Sequence, residues 1–168
     1  MPEDRPTHRY RVRTEWRGST GDGYQGYDRA HAGSTLPPSS ELRLGADPVF
    51  RGDPSQLNPE QLFVLAVSSC QLLTFLAVAA RARVDVVEYD DDAEGQMPEV
   101  ERPIRITRIV LRPRIIVRGD VTPDRVAHLV ELGHQQCFVA NSVTTTIAIE
   151  PVIEIRAGDD DHGDGRTA

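Results

Sequence analysis

Cys70 and Cys137 are the only thiols in this chain of 168 residues, and a thiol attacks an electrophile only as its anion. A free cysteine ionises with a pKa of roughly 8.5, so Cys70 needs help to react at neutral pH. It lies in the apolar stretch 62–80, where burial disfavours the charged form. A helix N-terminus cannot supply the help, because Cys70 follows Pro59 by 11 residues, well past the first turn. A neighbouring cation is therefore required. All 19 basic residues are arginine, so the choice is arginine or histidine. Arginine suits the task better, since it keeps its charge and can grip an acid bidentately. The absence of lysine also excludes Schiff-base and P-loop chemistry. The two cysteines stand 67 positions apart, which matches no zinc-site spacing, and His31, His128 and His134 are too scattered to complete one; no metal is expected. The residue types alone leave two readings open, a redox pair or two inert thiols filling a core.

The net charge of -7 argues against nucleic acid and against docking on anionic lipid, and favours a neutral small substrate. Residues 1–10 are charged and resemble no secretory signal, so a cytoplasmic location is expected. There a two-cysteine chain is redox-active or simply reduced. The run 62–80 has the length of a membrane span. Ser68, Ser69, Cys70, Gln71 and Thr74 at its middle favour a buried central helix instead, and no membrane partner is expected.

The elements that must position these thiols follow from periodicity. Residues 10–16 alternate as a half-buried strand, residues 18–23 form a turn cluster, and 24–32 can return as a hairpin partner. A short strand over 41–44 and an irregular segment over 45–57 follow. Asn58-Pro59 with Gln61 makes a capping box for a helix reaching about Arg83. Strands are expected over 84–97 and 104–118, a second helix from Thr122-Pro123 to about Asn141 enclosing Cys137, and a last strand over 143–155. Strands and helices do not alternate regularly, so the fold class is α+β rather than a doubly wound parallel sheet. Residues 1–8 read as a flexible start, 9–156 as one domain and 157–168 as a disordered acidic tail. A central helix apolar all round needs cover on every side, and a partner subunit would provide it in an intimate homodimer.

Asn58-Pro59-Glu60-Gln61-Leu62 followed by Ser69-Cys70 resembles the signature of the OsmC/Ohr family of organic hydroperoxide reductases. The likeness extends to Gly26-Tyr27-Asp28-Arg29-Ala30-His31, Phe50-Arg51-Gly52-Asp53-Pro54, Glu88-Tyr89-Asp90-Asp91-Asp92-Ala93-Glu94-Gly95, and residues 134–142 around Cys137. Five segments in the right order cover about residues 10–151, and the resemblance points to the OsmC-like branch.

The resemblance implies an OsmC-like fold, with antiparallel sheets around a long central helix in an intertwined homodimer. It also implies roles for four residues. Cys70 would be the peroxidatic thiolate and Cys137 the resolving thiol; Arg29 would hold the thiolate charged and polarise the peroxide; Glu60 would orient Arg29. No cofactor is implied. The substrate would be an organic hydroperoxide, and turnover would use a dithiol reductant of lipoyl or thioredoxin type. Glu60 and Cys70 lie ten residues apart, about 15 Å along a continuous helix, so one arginine cannot serve both within one subunit. Glu60 and Arg29 are therefore expected to reach Cys70 across the dimer interface. Leu62, Phe63, Leu73, Phe75 and Phe138 are candidates for an apolar substrate lining, Arg51 and Asp53 for a structural loop pair, and His134 for a helix residue one turn before Cys137. Gln71 departs from relatives that carry histidine after the first cysteine, which removes a titratable group and bears on substrate preference. A non-catalytic dimer that binds a small apolar ligand and a thiol redox sensor are the alternatives.

Overall fold

The computed structural model describes residues 7–157 except Asp22, Pro38 and Glu101. Of the expected tail over 157–168, only Ala157 is among them. The chain divides into two compact units that part after Leu62.

The first unit is a three-stranded antiparallel sheet in the order β1 (Val12–Glu15), β2 (His31–Thr35), β3 (Glu41–Leu44). The return strand starts at His31, later than the expected 24–32. Gly23 takes φ +73°, and the Asp28 side chain accepts the Ala30 N–H at 2.9 Å, so residues between them fold into turns. A short 3-10 turn, Pro48–Phe50, is capped by Asp47, whose Oδ1 accepts the Val49 N–H at 2.8 Å. Arg51 and Asp53 do not pair. Arg51 sits in the left-handed region and reaches the Gln25 carbonyl at 3.4 Å, while Asp53 caps Ser55 with bonds of 2.9 and 2.7 Å. Those Ser55 bonds hold the Asp53 carboxyl below its usual range. Between them Gly52 lies against backbone: a Cβ there would stand 1.6 Å from the Ala46 carbonyl oxygen. Gly52→Ala should therefore destabilise the fold by about 3 kcal/mol or more, read as a lowered urea midpoint.

Helix α1 (Pro59–Arg81) starts as its residues dictate: the Asn58 side chain accepts the Gln61 N–H at 2.8 Å, and the Gln61 side chain accepts the Asn58 N–H at 3.0 Å.

The second unit holds β4 (Asp85–Asp91), β5 (Glu94–Gln96), β6 (Arg108–Leu111), β7 (Pro113–Arg118), α2 (Pro123–Gln135), β8 (Thr146–Ile149) and β9 (Val152–Arg156). Each of the three long strands expected here is bent once, and its halves join two different sheets, β4-β7-β9 and β5-β6-β8. Arg112 stitches the bends. Its N–H donates to Asp91 at 2.7 Å, and its guanidinium reaches Glu94 and Glu150, each at 3.4 Å. Pro151, without an N–H, marks the third bend. The expectation of antiparallel sheets holds for β4-β7 and β5-β6, but β8 and β9 pair parallel to β6 and β7.

Phe75, Val78 and Ala79 of α1 pack with Ile115 and Val117 of β7 and with Val126, Leu129 and Val130 of α2. Val67, one side of the same helix earlier, packs on Ile109 and Leu111 of β6. α1 thus packs one face on these two cores, and its length and hydropathy would also suffice to cross a membrane. The helices touch where Gly133 meets Phe75: a Cβ on Gly133 would lie 2.9 Å from the Phe75 Cα. Glycine in a helix interior costs about 1 kcal/mol relative to alanine, and the close approach of α2 to α1 is what it permits. The opposite face of α1 is uncovered in the isolated chain, with Leu65 55% and Leu73 63% exposed.

Candidate active site

Cys70 lies two turns into the part of α1 that belongs to the second unit and is half-buried; Cys137 is fully buried, and both are reduced. The fold brings them near enough for the Cys70 thiol to affect the ionisation of Cys137. Cys137 does not lie inside the second helix, as expected from sequence, because α2 ends at Gln135. The chain turns there: the Cys137 N–H donates to the His134 carbonyl at 3.0 Å, and the Cys137 carbonyl accepts the Asn141 N–H at 3.0 Å. Cys137 thus caps a new helical turn. Its Sγ accepts the Ala140 N–H at 3.5 Å, and the Val139 N–H also favours its thiolate. Sequence reasoning did not single out these two amides; Asn141-Ser142, residue types that favour turns, is the signal for them.

Burial pushes the Cys137 thiol up to about 11. The Ala140 N–H opposes the rise, the adjacent Cys70 thiol adds to it, and the Val139 N–H opposes it again. At pH 8 such a thiol is ionised to about one part in a thousand. Iodoacetamide at pH 8 should therefore modify Cys70 and spare Cys137, and Cys137 should become reactive only as the pH approaches its own titration. Peptide mapping after timed alkylation reads both.

Arg29 and Glu60 meet in the first unit, where both line a cavity of about 360 Å³ with Trp16, Tyr27, Asp28 and Phe50. The expected Arg29–Glu60 ion pair is not formed in the isolated chain. The guanidinium donates instead to the Tyr24 and Tyr27 carbonyls. It also lies 3.8 Å from the Tyr27 ring centre and 4.8 Å from that of Tyr24. Arg29 Nε is buried without a partner, so the residue retains an unused donor. Glu60 stands in the first turn of α1, where a carboxylate also complements the helix dipole.

The remaining candidates separate. Phe75 is core and Phe63 packs beside Val67, whereas Leu73 and Phe138 are exposed, Phe138 at 77%. Leu62 lines a different, apolar pocket against the first sheet. The His134 Nδ1 is buried with no partner. Among the described residues, no group of three or more His, Cys, Asp or Glu side chains gathers to hold a metal ion.

A family model described as OsmC-like protein matches residues 52–152, more than half of the sequence. The chain belongs to the OsmC-like protein family. A solved OsmC-like protein of unknown function from Vibrio cholerae O1 biovar eltor is similar at 28% identity and a TM-score of 0.79, over 87% of this chain and 100% of that one. An organic hydroperoxide resistance protein from Elizabethkingia anophelis has the same fold, with a TM-score of 0.67 and 18% identity over 90% of this chain and 99% of its own. The uncharacterized protein YmaD of Bacillus subtilis (strain 168) is 18% identical over 104 residues, 60% of this chain and 69% of that protein.

Within the OsmC-like segment lie Glu60, Cys70 and Cys137, while Arg29 precedes it. Gln71, the departure beside Cys70, is fully buried and donates to the Val130 carbonyl at 3.1 Å. In this OsmC-like chain the position ties α1 to α2 and carries no titratable group.

Proposed function

We propose that this protein is a thiol-dependent peroxidase that reduces organic hydroperoxides to alcohols. One observation carries the reading: two reduced cysteines, remote in sequence, meet in the fold of a family whose members include organic hydroperoxide resistance proteins. The Cys70 thiolate attacks the terminal peroxide oxygen, the O–O bond breaks, and the alkoxide leaves as ROH after taking a proton. Cys70 becomes a sulfenic acid. Cys137 then attacks that sulfur, water departs, and a Cys70–Cys137 disulfide remains. A dithiol carrier of lipoyl or thioredoxin type in the cytoplasm returns both thiols, and no metal or organic cofactor enters the cycle.

The reading includes a homodimer. The uncovered leucines of α1 and the exposed Phe138 form the apolar surface that a second copy would bury. Arg29 and Glu60 of one protomer would then serve Cys70 of its partner, and the cavity they line would take the organic part of the peroxide.

Stopped-flow mixing of the reduced protein with cumene hydroperoxide tests this. The expected result is rapid consumption of one peroxide per chain, with loss of both thiols to one disulfide. Thiols unchanged after exposure would favour the ligand-binding dimer, and a disulfide formed without multiple turnover in the presence of dihydrolipoamide or thioredoxin would favour a redox sensor.

A further inference from the structure

Reduction of the disulfide raises a choice that the peroxidase reading leaves open: which sulfur does the carrier attack? Thiol–disulfide exchange requires the incoming thiolate, the attacked sulfur and the leaving sulfur to lie nearly in line, and the leaving sulfur departs as an anion. The two sulfurs of this protein differ in both respects. Cys137 is fully buried at the start of a tight turn, so its sulfur is closed to an incoming thiolate. Cys70 is half-buried, so its sulfur is the more accessible of the two. The departing anion also has a prepared place at one position only. The Ala140 N–H donates to Cys137 Sγ at 3.5 Å, whereas the Cys70 sulfur lies mid-helix, where the backbone amides are engaged within α1.

Resting on the peroxidase reading, we infer that the carrier dithiol attacks the Cys70 sulfur and that Cys137 leaves as a thiolate onto the Ala140 amide. The carrier thiolate forms a mixed disulfide with Cys70 as the Cys70–Cys137 bond breaks. Cys137 then takes up the proton that the carrier thiol released. The second carrier thiolate attacks the carrier sulfur of the mixed disulfide, releasing Cys70 and the oxidised carrier. Two electrons pass from the dithiol to the protein. Burial of Cys137 works against its departure, and the Ala140 amide opposes part of that, so the accessibility of Cys70 decides the choice. The contribution of Cys70 to the high Cys137 titration disappears once Cys70 is held in a mixed disulfide, which assists the step further. The reductant therefore enters by the route the peroxide uses, and no separate docking path to Cys137 is needed.

The test starts from the wild-type disulfide, made in parallel with cumene hydroperoxide and with diamide. Each sample is mixed briefly with 2-mercaptoethanol, quenched with acidic N-ethylmaleimide, and mapped by non-reducing peptide mass spectrometry. Mercaptoethanol should appear on the Cys70 peptide and maleimide on the Cys137 peptide, in excess over the reverse pattern by about tenfold or more. Mercaptoethanol on Cys137, equal labelling, or a failure of both oxidants to join the pair would overturn the inference. If diamide forms the disulfide and the peroxide does not, the peroxidase reading falls while the choice of sulfur is still read. A second arm uses Ala140→Pro, which deletes the one amide whose bond goes to Cys137 Sγ, with Ala140→Gly as control. Proline should slow reduction of the disulfide by dithiothreitol by about tenfold, with the first oxidation of Cys70 by peroxide little changed. Should proline unfold the turn, the mapping on the unmutated protein decides alone.

Discussion

Cys70→Ser abolishes reduction of cumene hydroperoxide, whereas Cys137→Ser performs one turnover and stops. This expected pair of results follows from the different work the two sulfurs do. Replacing the nucleophile removes the only atom that takes up the peroxide oxygen, so the rate should fall by at least about 10⁴-fold, to the level of free peroxide with the carrier. Removing Cys137 leaves attack intact but deprives the sulfenic acid of the thiol near it. Stopped-flow traces of Cys137→Ser should show an initial consumption close to wild type and then a plateau at one equivalent. The trapped sulfenic acid should react with dimedone, and excess peroxide should carry it on to the sulfinic acid. A Cys137→Ser protein that turns over steadily would mean that the carrier reduces the sulfenic acid directly. The nearness of the sulfurs would then serve packing rather than catalysis.

The parts of this arrangement legible from sequence are those fixed locally. Asn58 with Gln61 and Thr122 with Pro123 announce the starts of both helices because a cap is a contract among four adjacent residues, and both caps form, the second with Thr122 accepting the Arg125 N–H at 3.2 Å. The α+β class follows from the order of elements. The bends were not legible, because what bends the strands is tertiary: Arg112 has no reason to interrupt a strand until Asp91, Glu94 and Glu150 are folded around it. The parallel pairing of β8 and β9 depends on that same bending. The end of α2 was missed as well. No proline marks a stop within residues 124–141, and the turn after Gln135 is held by the Cys137 carbonyl accepting the Asn141 N–H and by the Ala140 N–H on the Cys137 sulfur. At the site, sequence named Cys70 and Cys137, which the fold brings near one another. It could not supply the partner of Arg29, which in the isolated chain is a pair of tyrosine rings and carbonyls rather than Glu60.

Arg29→Ala should lower the rate of Cys70 oxidation near neutral pH by about 10- to 10³-fold, since an adjacent cation shifts a titration by roughly one to three units. Cys70 alkylation measured against pH should move to higher pH in the variant, and Arg29→Lys should restore part of the loss, lacking the bidentate fork. Mixing variants tests where the arginine comes from. Glu60 and Cys70 are ten residues apart on α1, about 15 Å, which is too far for one guanidinium to span within a protomer. If Arg29 acts on the partner's cysteine, a heterodimer of Arg29→Ala with Cys70→Ser contains one site with both groups intact. Refolding the two variants together should then restore about a quarter of wild-type activity per chain above the residual rate of Arg29→Ala, because half of the dimers formed at random are mixed and each carries one of two sites. If Arg29 serves its own protomer, no site in the mixture is whole and no activity returns. If activity returns, the exposed leucines on α1 and the guanidinium stacked on tyrosines are two views of one site that a second copy completes.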